Sequence, residues 1–303
     1  MSYPIQFLVI TVLAVLGCAK VTLQSRVSKK YIVNTADSVF FNAQLYAAIA
    51  LVLLVVFPQG ALNGRGIFYA VLCGLFTLAF QIIYSLALKA GPVSITVLII
   101  NFSSLFIAIF SILAFRETVY LSHVIGAVLL VVSMILNVKK DEDGKPGNMR
   151  WFLLAVTAML ATSGGSIMIK IFGKTLGAEV KNSDMTFLVL SYAIAAVLAF
   201  GIYFVGAHVG KHERMTYKKP WHVLVYALII GVVLGVYQKF YAMGMAKMDA
   251  SFMMPTYAGM QSVGMTVIGV VMFKDRLSTR QKVSVLCGIA CIIIMNLRIL
   301  PLF

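Results

Sequence analysis

Apolar runs of about 20 residues, enough to cross a hydrocarbon core about 30 Å thick, recur along this chain between short joints rich in charge, Gly and Pro. Backbone polar groups inside a bilayer must be satisfied within the segment, so each run is expected to be helical. The pattern predicts ten spans near 4–24, 38–57, 66–88, 92–114, 119–138, 151–172, 184–207, 221–245, 250–272 and 277–298. The longest polar joints, 139–150 and 211–220, are too short to fold alone. The first of them divides the chain into five spans at 1–140, a polar linker at 141–150 and five spans at 151–303.

Composition removes the soluble alternatives. The 303 residues are 61% hydrophobic and 12% charged, where soluble domains run to about 45–50% and about 25%. A net charge of +15 would suggest nucleic acid in a soluble protein. Here most basic residues flank the apolar runs, so their partner is the lipid bilayer and no nucleic acid is expected. The start, Met1-Ser-Tyr-Pro, lacks the basic n-region of a secretory signal and reads as part of a retained first span. Cys18, Cys73, Cys287 and Cys291 all fall inside spans and are expected to be buried thiols. Asn101-Phe-Ser103 fits the glycosylation pattern but sits mid-span, where no glycosylating enzyme reaches.

The halves resemble each other at nearly fixed offsets. Phe41 and Tyr46 in span 2 match Phe187 and Tyr192 in span 7, 146 residues on. In spans 3 and 8 the offset is 157, which pairs Gly74 with Gly231, Gln81 with Gln238, Tyr84 with Tyr241, and Ser94 with Ser251 just beyond. Because five is odd, a repeated five-span unit enters the membrane from opposite sides in its two copies. The fold class expected is therefore an all-α membrane protein of ten transmembrane helices in a 5+5 inverted repeat. Such halves exchange conformations, so that one central cavity opens to each side in turn.

Sixteen Lys and Arg fall in the joints after spans 1, 3, 5, 7 and 9, against six on the other side (Arg65, Arg116, Lys174, Lys181, Lys247 and Arg298). The positive-inside rule then places both termini outside, in a multi-pass protein of the cell (inner) membrane.

Span 4 ends in Phe115-Arg-Glu117-Thr and span 9 in Phe273-Lys-Asp275-Arg, and Ala90-Gly-Pro-Val-Ser94 leads into span 4. With the ten-span duplication, these features resemble the drug/metabolite transporter superfamily, its EamA-like branch above all. The resemblance implies a carrier of small metabolites with a central cavity lined mainly by spans 1–4 and 6–9, and with spans 5 and 10 packed outside. The small multidrug members depend on a membrane-embedded Glu in the first span, which this chain lacks.

All ten acidic residues fall in joints or at span ends, which argues against proton-coupled export of cationic drugs, a reaction that needs a carboxylate within the membrane. Lys20, Lys170 and Lys239 do lie within spans. A lysine there either faces a wet cavity, where it attracts an anionic or zwitterionic substrate, or snorkels to the surface. Lys170, near its span end, is expected to snorkel. Lys20 and Lys239 are carried as candidate substrate ligands.

The repeated pairs Gln81/Tyr84 and Gln238/Tyr241 share a helix face at i, i+3 and offer donors and acceptors to a polar ligand. An interhelical hydrogen bond is the competing explanation. Asn42, Gln44, Asn101, Ser104, Tyr192, Tyr257 and Gln261 complete the candidate substrate-binding set. His208 and His212, with Glu213 beside them, are a weak metal pattern at a membrane surface. No catalytic motif, metal site or cofactor is expected.

The function expected is secondary transport of a small polar metabolite, anionic or zwitterionic, by alternating access as a facilitator or exchanger. An exporter of neutral or zwitterionic amino acids is the alternative, and a non-transporting scaffold the outsider. The sequence is compatible with both a monomer and a homodimer.

Overall fold

Four helices begin where polar side chains catch the first free backbone N–H groups. Asn34 and Asp37 form a reciprocal capping box, with Asp37 N donating to Asn34 Oδ1 at 2.7 Å and Asn34 N to Asp37 Oδ2 at 3.3 Å. Asn63 accepts from Gly66 N at 2.8 Å, Asn148 from Trp151 N at 2.8 Å, and Ser278 and Gln281 form a second reciprocal pair. In a computed structural model that describes residues 1–32, 34–136, 148–176, 180–208, 220–273, 278–297 and 299–301, the helices are α1 (Tyr3–Tyr31), α2 (Thr35–Val56), α3 (Gly64–Ala90), α4 (Val93–Asn101), α5 (Ser103–Phe115), α6 (Leu121–Leu136), α7 (Met149–Lys174), α8 (Ser183–His208), α9 (Pro220–Lys247), α10 (Ala250–Phe273) and α11 (Thr279–Leu297), and these caps open α2, α3, α7 and α11. Among the described residues there is no strand longer than the single bridge Tyr120–Pro301.

Among the described residues eight stretches, with α4 and α5 taken as one, are long and apolar enough to cross a membrane; α6 is a shorter apolar helix, and α10 is not among the eight. The protein is a multi-pass integral membrane protein. The ten predicted spans correspond to the helices, with one difference. The fourth is broken at Phe102, whose N–H is shared between Leu98 O at 3.3 Å and Ile99 O at 3.2 Å, while Ser104 Oγ takes Asn101 O at 2.9 Å. A serine bonded to the backbone competes with the helical ladder, and a hydropathy pattern carries no trace of that competition. Most of the predicted 141–150 linker, together with His212, Glu213 and Asp275, lies outside the described residues.

By contact the chain separates into two units. One comprises Met1–Cys18, Ile83–Ile167 and Lys247–Phe303; the other comprises Ala19–Ile82 and Met168–Ala246. Each draws helices from both sequence halves.

In the first unit α6 packs on α11 and α5 on α10. Tyr120 meets Pro301, Gly126 meets Met295 and Ser133 meets Ser284, so the residue numbers of α6 and α11 run in opposite senses. Ser133 Oγ donates to Ser284 O and Ser284 Oγ to Ser133 O, both at 2.8 Å. The Ala90-Gly-Pro joint is held by Trp151, whose Nε1 donates to Thr96 Oγ1 at 2.8 Å.

Arg116, in the left-handed conformation at φ 51°, ends α5 and turns the buried Glu117 back toward α10. There Glu117 Oε2 accepts from Ala250 N at 2.7 Å and Ser251 N at 3.2 Å, while Phe252 N and Met253 N bond to Asp249 O. The acidic residue that closes span 4 thus serves as a cap for another helix. Glu117→Ala is expected to destabilise the protein by about 1–3 kcal/mol, the cost of unsatisfied buried donors. Glu117→Gln should retain part of that. Thermal melting of the purified protein checks both, and an unchanged alanine variant would remove the capping role.

In the second unit α2 packs on α8 with opposed direction, Phe40 meeting Phe200 and Tyr46 meeting Tyr192. α9 lies so close to α2 that a Cβ on Gly231 would stand 2.6 Å from Ala48 Cβ, and one on Gly235 would stand 2.7 Å from Val52 Cγ1. α3 approaches α8 in the same way: a Cβ on Gly74 would stand 2.6 Å from Ser191 O and 3.2 Å from Ile194 Cβ. Small residues permit such approaches, which in a bilayer supply much of the association energy.

Candidate functional site

The second unit gathers the most distinctive side chains. Tyr192, on the face that α8 turns to α2, lies 6.1 Å from Tyr46 between ring centres. Cys73 of α3 and Tyr237 and Tyr241 of α9 lie within electrostatic reach of it. Residues 237 and 241 are one helical turn apart, and their rings stack at 5.7 Å with planes 14° apart. Gln238 donates from Nε2 to the Tyr192 hydroxyl, while its Oε1 is buried with no hydrogen-bond partner. Above Tyr237, the Lys20 ammonium sits 5.8 Å from the ring centre in cation–π geometry. Four buried phenol rings, one amide and one ammonium therefore converge from α1, α2, α8 and α9. Such a set can offer a ligand π faces, a fixed hydrogen-bonding edge and one positive charge.

The remaining predicted residues are spread more widely. Lys239 follows Gln238 in the chain, but its side chain runs along α8 to Asp184, with Nζ 3.7 Å from Oδ2 and 5.8 Å from the Phe57 ring centre. Asn42 turns back on its own helix and donates to Ser38 O at 2.7 Å. Gln44 is half-buried with Oε1 lacking a hydrogen-bond partner. It stands one turn before Ala48, away from the end of α9 that carries Gln238. Gln81 and Tyr84 are both half-buried on α3, Gln81 in the second unit and Tyr84 in the first.

Asn101 and Ser104 flank the break between α4 and α5 and engage each other locally. In the first unit, Tyr257 and Gln261 press against α1 where Gly17 leaves room: a Cβ there would stand 2.9 Å from the Tyr257 hydroxyl and 3.1 Å from Gln261 Nε2. Within the second unit the structure thus brings Lys20, Tyr192, Gln238 and Tyr241 together and gives Asn42 and Lys239 other partners.

Sequence reasoning left Tyr46, Cys73 and Tyr237 out of the candidate set, although the repeat offset pairs Tyr46 with Tyr192 and helical spacing puts Tyr237 under Tyr241. Lys170 departs from its expectation outright. Its side chain is fully buried, at 0% exposure, so it does not snorkel. Nearness to a span end is a poor guide where a neighbouring chain segment covers that end.

Residues 7–139 match the family model described as the EamA-like transporter family. This segment belongs to that family. The EamA-like transporter family forms part of the drug/metabolite transporter superfamily, and the match spans 133 of the 303 residues, from 7 to 139. No curated protein sequence matches the chain. One solved crystal structure is similar over 97% of this chain and 96% of its own, with a TM-score of 0.71 and 16% identity, which establishes a shared fold.

Proposed function

We propose that this EamA-like protein is a secondary transporter that carries a small anionic or zwitterionic polar metabolite by alternating access, as a facilitator or exchanger. The observation that carries the reading is the Lys20 ammonium over Tyr237, beside an amide anchored on Tyr192. Lys20 supplies the attraction for a carboxylate or similar anion, and the phenols and Gln238 orient the rest of the ligand.

Alternating access requires two interchangeable halves, and we read residues 1–140 and 151–303 as inverted repeats. Three contacts support this. Counterpart helices pack on each other in opposite senses in both units, as α2 with α8 and α6 with α11. The counterpart tyrosines 46 and 192 touch. The contact of Gly74 with Ile194 is mirrored by that of Gly231 with Ala48, at the sequence offsets of 157 and 146. A two-fold relation produces such reciprocal pairs. By the Lys and Arg bias, both termini are placed outside.

The test is uptake into proteoliposomes across a metabolite panel. Lys20→Met is expected to reduce uptake of the best anionic or zwitterionic substrate at least about tenfold, as truncating one partner of a close charge pair does. Lys20→Arg should retain most of it. The Asp184–Lys239 pair favours a second reading, because it shows one lysine in a span satisfied without substrate. In that case the protein exports neutral or zwitterionic amino acids through its Gln and Tyr contacts, and Lys20→Met leaves uptake unchanged.

A further inference from the structure

The tyrosine cluster leaves one end of its own unit unexplained, the end where α2 finishes and α8 begins. There Lys239 Nζ stands 3.7 Å from Asp184 Oδ2 and 5.8 Å from the centre of the Phe57 ring, with the two charged side chains 28% and 29% exposed. Beside them Thr186 Oγ1 donates to Gly60 O at 2.7 Å, accepts from Gly60 N at 3.0 Å and lies 3.2 Å from Gln59 Oε1. Gln59 Nε2 in turn donates to Leu53 O at 2.8 Å and Phe57 O at 2.7 Å. The joint after α2 is therefore strapped to the first turn of α8.

Tyr192 lies eight residues beyond Asp184 on α8, about 12 Å at 1.5 Å per residue. Lys239 and Gln238 are adjacent on α9, so one helix carries both the amide of the cluster and the ammonium of the pair. A displacement of α9 that re-aims Gln238 pulls on Asp184. At the opposite end of α2 and α8 the closing contacts are aromatic, Phe40 with Phe200 at 5.6 Å and with Tyr203 at 4.8 Å. The two ends are held by unlike chemistry, and a partly exposed ion pair is the weaker and more reversible kind of contact.

We propose that Asp184 and Lys239, seated on Phe57 and flanked by the Thr186–Gly60 strap, form a gate that closes this end of the unit, and that opening separates the pair. The proposal rests on the reading that the tyrosine cluster holds the transported ligand. Its test does not require the ligand to be known.

Cys73, buried at 3% exposure beside Tyr192, serves as the reporter in a protein whose other cysteines are replaced by alanine. A charged, membrane-impermeant methanethiosulfonate is added to one side of sealed vesicles at a time. Asp184→Asn is expected to raise the Cys73 labelling rate from one side about fivefold, equal to about 1 kcal/mol at 1.4 kcal/mol per tenfold. Combining Asp184→Lys with Lys239→Asp should restore the parent rate. High salt should accelerate the parent but not Asp184→Asn, since only an intact pair can be screened. Lys239→Met, checked for elution and melting, must reproduce the rise if Asp184→Asn folds poorly. Unchanged labelling in the neutralised variants, or a charge swap that stays as open as they are, overturns the gate. If labelling behaves as expected while Lys20→Met, Gln238→Leu and Tyr192→Phe all transport normally, the gate stands and the binding role of the cluster falls.

Discussion

Gly231→Ala is expected to destabilise the protein by about 2–3 kcal/mol, the range for overpacking a tight contact, and Ala48→Gly in the same molecule is expected to recover most of the loss. The new Cβ would meet Ala48 Cβ at 2.6 Å, with the backbone behind it at 3.2 Å and 3.4 Å. Removing the Ala48 methyl group leaves only contacts that relax by a few tenths of an ångström. The counterpart glycine behaves differently. A Cβ on Gly74 would meet the backbone oxygen of Ser191 at 2.6 Å before it met Ile194, so trimming Ile194 in Gly74→Ala should restore nothing. Melting temperatures of the four variants check both statements. A Gly231→Ala/Ala48→Gly protein no more stable than Gly231→Ala would show that α2 and α9 do not meet there.

The second large effect concerns transport. Gln238→Leu deprives the Tyr192 hydroxyl of its donor, and Tyr192→Phe leaves a buried amide whose oxygen already lacks a hydrogen-bond partner. Each single change is expected to cost about 1–3 kcal/mol in stability, because one buried polar partner is left behind. The double variant should melt near the parent temperature, since removing both partners is close to neutral. Uptake should remain at least about tenfold down in the singles and the double alike, because a ligand loses the edge that orients it. Recovery of uptake together with stability in the double variant would reduce the pair to a packing contact.

The membrane architecture was legible because hydrophobic runs report burial in lipid directly. The ten predicted spans fall on helices, eight of the stretches being long and apolar enough to cross a membrane, and the Gln–Tyr spacing drew attention to Gln238 and Tyr241, which share a cluster with Tyr192. The break at Phe102 was not legible, since it depends on which carbonyl a serine hydroxyl takes. Lys170 was misread because a single sequence does not tell a helix end that meets water from one that is covered. Glu117 stood out in the sequence as the acid that closes a span, but its task is to complete α10, 133 residues away from Ala250, and no local pattern carries that information. Tyr257 and Gln261 formed a polar stripe by spacing, and their place against Gly17 depends on the close approach of α1 and α10.

Ala48 on Gly231 and Val52 on Gly235 repeat the same four-residue step along both helices, and the helices run in the same direction. Two such surfaces mesh like a rack. Smaller slips would set the Val52 isopropyl group against the shoulder between the glycines, so a shift of α2 along α9 that kept this packing would measure one turn, about 5.4 Å. A helix pair built in this way favours a few discrete registers over a continuous slide.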